Sequence, residues 1–523
     1  MEYMEIRHAH LFCGLGGGAK GFNQGVARYG NLKACFRCLG GVDVDKAALA
    51  DFARLTGCRG TYLDMFDREQ YIAFHGQEPP ADWSEATPED LHRAFGYERP
   101  HIGFLSPPCK GLSGLLSEAK SRSDKYQALN RLTLRGIWLF LEAYKDDPVE
   151  LILLENVPRI ATRGRALLDQ ITALLRAYGY AVAETTHDCG ELGGLAQSRK
   201  RLLLVARHRE KVPSYLYEPH KRPLRTVGDV LGRMPLPGDP AGGAMHRIPA
   251  LQWKTWVRLA FVEAGSDWRS LNRLAVENGF LRDYGIVPEG GNTAWRDDVL
   301  GVVPWKDSLG TITGKSSPTN GRFAVADPRT GWGRSAHQNR YRIIPWNGQS
   351  RTITGAAHPV GSALCVADIR CADWGYEKTG HSRSGVYGVV DWNSPCGPVT
   401  AKGRQDNSAC SVADVRLPAL PDATQNCVAV IRALDGTWHR PFTTLELAAF
   451  QGLLDPEETL ELEGLSDSAW RERIGNAVPP PAAAAMAETM GKLLLLTWSG
   501  ETISLGSTPI WVQPIAAALM AAQ

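Results

Sequence analysis

Apolar runs of four to five residues punctuate the first two hundred positions, and each is stopped by glycine, proline or a charge. Ile102-Gly103-Phe104-Leu105 runs into Ser106-Pro107-Pro108-Cys109. Leu151-Ile152-Leu153-Leu154 runs into Glu155-Asn156, and Leu202-Leu203-Leu204-Val205-Ala206 follows the basic stretch Gln197-Ser198-Arg199-Lys200-Arg201. Runs this short and unbroken predict strands buried on both faces. At the N-terminus, His8-Ala9-His10-Leu11-Phe12 leads into Cys13-Gly14-Leu15-Gly16-Gly17-Gly18, which predicts a short strand, a glycine turn and a helix starting near Ala19. Strands that end in turns of this kind belong to open α/β sheets, whose ligands bind outside the strands' carboxyl ends.

That placement gives the strand ends a chemical reading. The prolines before Cys109 fix φ and stiffen its turn, so the thiol reads either as a presented nucleophile or as a small buried residue after a strand. Glu155 ends its strand on the same side as Cys109; shielded from water it would hold a proton it can donate. Strand alternation would put Gln197, Arg199 and Arg201 on one face, where they suit phosphate or base contact. The spacing Gly14-x-Gly16-x-x-Ala19, with Asp43 further on, fits a loop that approaches an adenosine-bearing cofactor.

The middle of the chain changes character. Residues 207–439 are rich in Gly, Pro, Trp, Thr and Arg, and a pattern repeats: Val302-Val303-Pro304-Trp305, Ile343-Ile344-Pro345-Trp346 and Val389-Val390-Asp391-Trp392. From each tryptophan to a later aspartate (Asp327, Asp368, Asp414) the offset is 22, and to a threonine (Thr313, Thr354, Thr400) it is 8. Equal offsets predict one β-type unit used three times, over about 302–329, 343–370 and 389–416. Between the first two units, Arg334, Arg340, Arg342 and Arg351 lie in a stretch without an acid, beside Trp332 and His337. Loop arginines of this kind read guanine edges or hold phosphates.

Composition narrows the class. The chain has 523 residues, enough for more than one core, with 44% hydrophobic and 22% charged positions, as in ordinary globular proteins. A net charge of +2 confines any nucleic-acid surface to a local patch. Eleven scattered cysteines point to a reducing compartment. Cys35-Phe36-Arg37-Cys38 has no partner pair, so no metal site is expected. No signal-peptide core is evident at the N-terminus, and the tail runs Leu493–Leu496 and Ile515–Leu519 are far shorter than a membrane span.

Taken together, these segments resemble the DNA cytosine-5 methyltransferases, in the family's motif order, over residues 8–206 and 440–482. Phe12, Gly14, Leu15, Gly16 and Gly17 look like the S-adenosylmethionine loop. Asp43-Val44 looks like the ribose-binding stretch and Asp64-Met65 like the adenine-contacting pair. Pro107-Pro108-Cys109 resembles the nucleophile motif, Glu155-Asn156-Val157 the glutamate motif, and Gln197-x-Arg199-x-Arg201 the motif beside the target base. Arg440-Pro441-Phe442-Thr443, Glu446 and Phe450-Gln451-Gly452 look like the helix supporting recognition. Gly475-Asn476-Ala477-Val478-Pro479-Pro480 looks like the last cofactor motif. Three positions depart from the pattern: His10 stands where an acid is usual, Lys110 where glutamine is frequent, and Leu112 where an aromatic is frequent.

The resemblance implies a Rossmann-like, S-adenosylmethionine-dependent α/β domain over 1–206. A large, mainly β target recognition domain (207–439) is inserted before the last motifs, and 440–523 returns to the catalytic domain. It implies methyl transfer to C5 of cytosine in specific double-stranded DNA sequences, through a Cys109 adduct on a flipped-out base. Glu155 and Arg199 or Arg201 would hold that base. Asn476 and Val478 would complete the cofactor site with Pro107, and Ser113, Lys120, Arg122 and Gln197 would touch DNA along with Arg334, Arg340 and Arg342. Residues 114–130 would form a closing loop. A cytoplasmic, nucleoid-associated and monomeric enzyme of bacterial or phage type is expected, with a cognate restriction endonuclease as a possible partner and no membrane. Other readings remain open: an RNA (tRNA) cytosine-5 methyltransferase on the same domain, an NAD-dependent dehydrogenase, or a non-catalytic DNA-binding module.

Overall fold

In the computed structural model, the described residues are 2–108, 124–214, 218–262, 276–277, 280–281, 302–312, 323–327, 343–345, 365–367, 389–391, 411–413, 424–429 and 438–500. The chain divides into two compact units: 1–250, 255–328 and 428–523 form one, and 251–254 with 329–427 form the other.

The first unit is built on an eight-stranded mixed sheet. Its strands are β1 (Glu2–Leu11), β2 (Val26–Tyr29), β3 (Leu32–Asp43), β4 (Gly60–Tyr62), β5 (Ile102–Leu105), β6 (Leu151–Asn156), β7 (Tyr180–Asp188) and β8 (Lys200–His208). The order is β2-β3-β1-β5-β6-β8-β7, with β4 beside β3. The strands β4, β3, β1, β5 and β6 run parallel, while β8 is antiparallel to both β6 and β7. All residues of β5 and β6 are buried, as unbroken apolar runs between two helical layers require.

The principal helices are α1 (Gly17–Gln24), α2 (Lys46–Thr56), α3 (Arg68–His75), α4 (Pro88–Ala94), α5 (Asp124–Ala143), α6 (Arg165–Ala177), α7 (Thr444–Phe450), α8 (Asp467–Asn476) and α9 (Pro480–Trp498). One apolar core joins the β5 and β6 side chains Leu105, Ile152 and Leu154 to Leu132 and Phe140 of α5 and Leu168 and Ile171 of α6. On the other face, Ile6, Phe22, Phe104 and Leu153 pack against Ala482, Ala483, Met486 and Leu494, so α9 covers the sheet beside α1. Helix α1 starts at Gly17, two residues before the predicted start, because Gly16 in left-handed backbone (φ 92°) already turns the chain. The segment expected as a closing loop is helical from Asp124 onward; its first part, 114–123, lies outside the described residues.

The three repeats share one strand geometry. Val302–Pro304 pairs parallel with Ala324–Asp327, Ile343–Pro345 with Cys365–Ala367, and Val389–Asp391 with Ser411–Ala413. The first pairs are Val302↔Ala324, Ile343↔Cys365 and Val389↔Ser411, each 22 residues apart. The sequence offset is therefore the strand register. In the first repeat Ala324–Asp327 also pairs antiparallel with Trp438–Pro441, which ties it into the first unit.

That tie is ionic as well. Arg440, wholly buried, donates to Glu446 at 2.8 and 2.9 Å and to Asp327 at 2.9 and 3.1 Å. Glu446 also closes a capping box on Thr443 at the start of α7. A buried charge of this kind survives only with such complete pairing.

Candidate active site

The glycine turn follows directly from the end of β1. Phe12 has φ 54° and Gly14 φ 51°. A left-handed phenylalanine is a costly conformation that persists where surrounding contacts impose it. The Phe12 ring lies against Gly136 of α5, where a Cβ would sit 2.7 Å from the ring. Gly136 is thus a site residue that motif reading misses; its signal is a glycine inside an otherwise strong helix pattern.

At the end of β3, Asp43 organises the turn. Its carboxylate accepts from the amide of Gly14 at 2.9 Å, of Val44 at 2.8 Å and of Asp45 at 3.0 Å. Burial pushes its pKa up, and those three amides oppose that rise. Val44 beside it is exposed, and Asp45 caps α2. Asp64 accepts from the Trp83 indole at 3.1 Å and from the Phe66 amide at 3.0 Å, with Met65 buried behind it. Gly14 faces open space: a Cβ there would meet nothing within 4 Å. An acid at a strand end, an exposed apolar neighbour and an open glycine turn fit a nucleoside-bearing cofactor.

The C-terminal return closes this end of the sheet. A Cβ on Gly17 would lie 2.3 Å from the Val478 carbonyl oxygen, and one on Gly21 would lie 2.1 Å from that of Pro480. Leu15 and Gly17 are buried in this packing, Val478 is 4% exposed, and Asn476 is exposed at the end of α8. Lys20 donates to the Leu453 carbonyl at 2.7 Å.

A buried carboxyl group sits where two adjacent strands end. Register pairs Leu105 with Leu154, so Ser106 and Glu155 follow side by side. Glu155 is buried; it accepts from the Ser106 hydroxyl at 2.8 Å and pairs with Arg201 Nε at 2.6 Å. Ser106 is a second residue missed from sequence, and the strand pairing is what exposes it. Pro107 is buried next to it, leading to Cys109. Cys109, Ser113, Lys120, Arg122, Arg334, Arg340 and Arg342 lie outside the described residues.

Gln197 and Arg199 differ from their expected positions. Both precede β8, which starts at Lys200, so strand alternation does not govern them. Gln197 is fully buried and donates to the Phe450 carbonyl at 3.2 Å and to Gln451 Oε1 at 2.7 Å. Arg199 is 2% exposed, and its guanidinium donates to the carbonyls of Ile312 at 2.8 Å and Gly475 at 3.0 Å. Arg199 therefore ties the last motif and the first repeat to the sheet, and Gln197 anchors α7. Arg201 is the arginine that meets Glu155.

Comparison with known proteins agrees with this layout over the first half of the chain. Residues 6–235 match the family model described as C-5 cytosine-specific DNA methylase. A search of curated proteins gave no match. Among solved structures, the Entamoeba histolytica methyltransferase EhMeth is similar at 11% identity and a TM-score of 0.46, over 95% of this chain and 100% of that one. The S. pombe Dnmt2 methyltransferase is similar at 14% identity and a TM-score of 0.39, over 95% and 100%. A protein encoded within an E. coli prophage and assigned as a DNA modification methyltransferase is similar at 14% and 0.41, over 94% and 99%. Among the described residues no helix is long and apolar enough to cross a membrane. Over residues 6–235, a little under half of its 523 residues, this chain is similar to the C-5 cytosine-specific DNA methylases.

Proposed function

We propose that this chain methylates C5 of cytosine in specific sequences of double-stranded DNA. The observation that carries the reading is the buried Glu155, held between Ser106 and Arg201, with Pro107, Pro108 and Cys109 following Ser106 in the sequence.

Cytosine C5 is too electron-poor to take a methyl group directly. The Cys109 thiolate adds to C6, forming a C–S bond and making C5 nucleophilic. Glu155 holds the N3 and N4 edge and gives its proton to N3 as negative charge develops there. Arg201 keeps Glu155 in place and reaches the O2 side of the ring. Phe12–Gly17, Asp43, Val44, Asp64, Met65, Pro107, Asn476 and Val478 would hold S-adenosylmethionine, which would supply the electrophilic methyl group and leave as S-adenosylhomocysteine. A base then removes the C5 proton, N3 returns its proton to Glu155, and the C–S bond breaks with its electron pair leaving on sulfur, which regenerates the Cys109 thiolate. A stacked duplex gives no access to C5 or C6, so the base is flipped out. Ser113, Lys120 and Arg122 contact DNA from the segment after the nucleophile. The three repeats supply target recognition, with Arg334, Arg340 and Arg342 as base-reading or phosphate-holding groups.

The test is methyl transfer from labelled S-adenosylmethionine to duplex DNA and, in parallel, to tRNA. Label on DNA cytosine C5, lost in Cys109→Ala, is expected. Label on tRNA alone overturns the substrate, and turnover by Cys109→Ala overturns the nucleophile. Replacing a base-reading arginine costs about 1–3 kcal/mol at the cognate site and relaxes one position. Methylation profiles of the Arg334, Arg340 and Arg342 alanine variants over a randomised library identify which residue does so.

A further inference from the structure

The methyl-transfer chemistry makes no use of His10, standing where the family usually has an acid, or of Cys38. The fold brings the two together. His8 and His10 stand on one face of β1, two residues apart, and Cys38 is the register partner of His8 on the parallel strand β3. The register shifts between His8 and Ala9, whose partner is Gly40, so β3 carries an extra residue at this point. Bulges of this kind re-aim side chains. His8 is 0%, His10 1% and Cys38 6% exposed. One ring nitrogen from each histidine and the Cys38 sulfur all lie within 4.8 Å of one another.

We propose that His8, His10 and Cys38 form a buried site for a zinc-type divalent cation beneath the cofactor loop. Three observations support it. First, His8 Nδ1 and His10 Nε2 converge at 2.8 Å. A hydrogen-bonded histidine pair accounts for that approach but not for a thiol within reach of both rings. Second, the outer nitrogen of His8 is anchored as in metal sites, where a ligand histidine donates its other N–H to a fixed acceptor. His8 Nε2 donates to Asn23 Oδ1 at 3.1 Å, and that oxygen also accepts the Cys38 amide at 3.0 Å. The bond leaves His8 Nδ1 as the ring's lone-pair nitrogen, on the side of His10 Nε2.

Third, a further thiol is adjacent: Cys58 donates to the Cys38 carbonyl at 3.5 Å. Two imidazoles and the Cys38 thiolate supply three of the four positions of a tetrahedral zinc-type ion. Cys35 takes no part: it is exposed, whereas Cys38 is buried. The Cys-x-x-Cys spacing is therefore not the ligand set; a histidine pair from one strand joined to a cysteine from its neighbour is. Such an ion would pin β1 to β3 at the point from which the Phe12–Gly17 turn departs.

The test is a cobalt(II) titration of the full chain, reduced and stripped of metal by a chelator, using Cys35→Ser as the background. The expected result is a thiolate-to-cobalt charge-transfer band with tetrahedral visible bands, saturating at about one ion per chain and bleached by zinc. Cys38→Ser should lose the charge-transfer band, and His10→Gln should weaken cobalt binding about tenfold or more. Absence of the band in the background protein overturns the proposal, as does its survival in Cys38→Ser. If Cys38→Ser is insoluble, His10→Gln decides: cobalt affinity equal to the background overturns the site.

Discussion

Gly17 offers the sharpest test of how the cofactor end is assembled. In Gly17→Ala the new Cβ would sit 2.3 Å from the Val478 carbonyl oxygen and 3.4 Å from the Ala477 Cβ. A carbon–oxygen contact of this type needs about 3.3 Å or more, so the two backbones must part by roughly 1 Å. Neither atom belongs to a flexible side chain. A gap of 0.5–1 Å forfeits about a quarter to a half of each dispersion contact along the interface. The neighbours that lose contact are Phe22, Val478, Ala482 and Ala483, all buried. Overpacking of this kind costs about 1–3 kcal/mol, and the better helix propensity of alanine returns up to about 1 kcal/mol. The net expectation is a loss of about 1–2 kcal/mol, together with weaker cofactor binding, because the glycine turn moves away from Asn476 and Val478. Gly21→Ala pushes the same helix in the same direction, since its Cβ would meet the Pro480 oxygen at 2.1 Å. The double variant should therefore lose less than the sum of the two single variants. Urea unfolding reads stability, and calorimetry with S-adenosylhomocysteine reads the site. A Gly17→Ala chain with the parental unfolding midpoint and parental affinity would refute the close approach of α1 to the C-terminal return.

Glu155→Gln should abolish methyl transfer while leaving S-adenosylhomocysteine affinity within about twofold, because the proton donor is lost and the cofactor contacts are not; transfer at the parental rate would remove Glu155 from the chemistry. Asp43→Ala should weaken cofactor binding roughly tenfold or more, through loss of both the acid and the anchor of the Gly14 amide; unchanged affinity by calorimetry would contradict this. Arg440→Ala strands Asp327 and Glu446 in the core and should cost about 3–5 kcal/mol, seen as a large drop in the urea midpoint. Stability should also fall in mild acid. Unfolded His8 takes a proton near its ordinary 6.5, while the folded side chain refuses one until about 3. The unfolded chain thus binds more protons between these values, and stability is lost as pH drops through that window. Urea midpoints that stay flat from pH 7.5 to 4.5 would contradict buried, neutral histidines.

Strand-end chemistry is legible in the sequence because an unbroken apolar run fixes both the strand and where it stops. Glu155 stands where its run places it. The repeats are legible for a stricter reason: their 22-residue offset is itself the pairing register. What the sequence hides is the partner that returns from far along the chain. Alternation cannot tell that Arg199 will meet the carbonyls of Ile312 and Gly475, or that Gln197 will meet Phe450 and Gln451. Nor can a local motif show that Ser106 lies beside Glu155, or that Cys38 faces His8, since both depend on which strands are neighbours.

The docking of α9 against α1 has a consequence for how the protein is made. Gly17 and Gly21 are shaped for the carbonyls of Val478 and Pro480, which are synthesised 461 and 459 positions later. At about 5–20 residues per second, the bare glycine face of α1 waits roughly 20–90 s for its cover. During that interval the apolar side chains of Ile6, Phe22 and Phe104 lack Ala482, Ala483 and Met486. The sheet's eight strands, all complete by His208, thus gain their α9 cover only after the intervening residues have emerged from the ribosome.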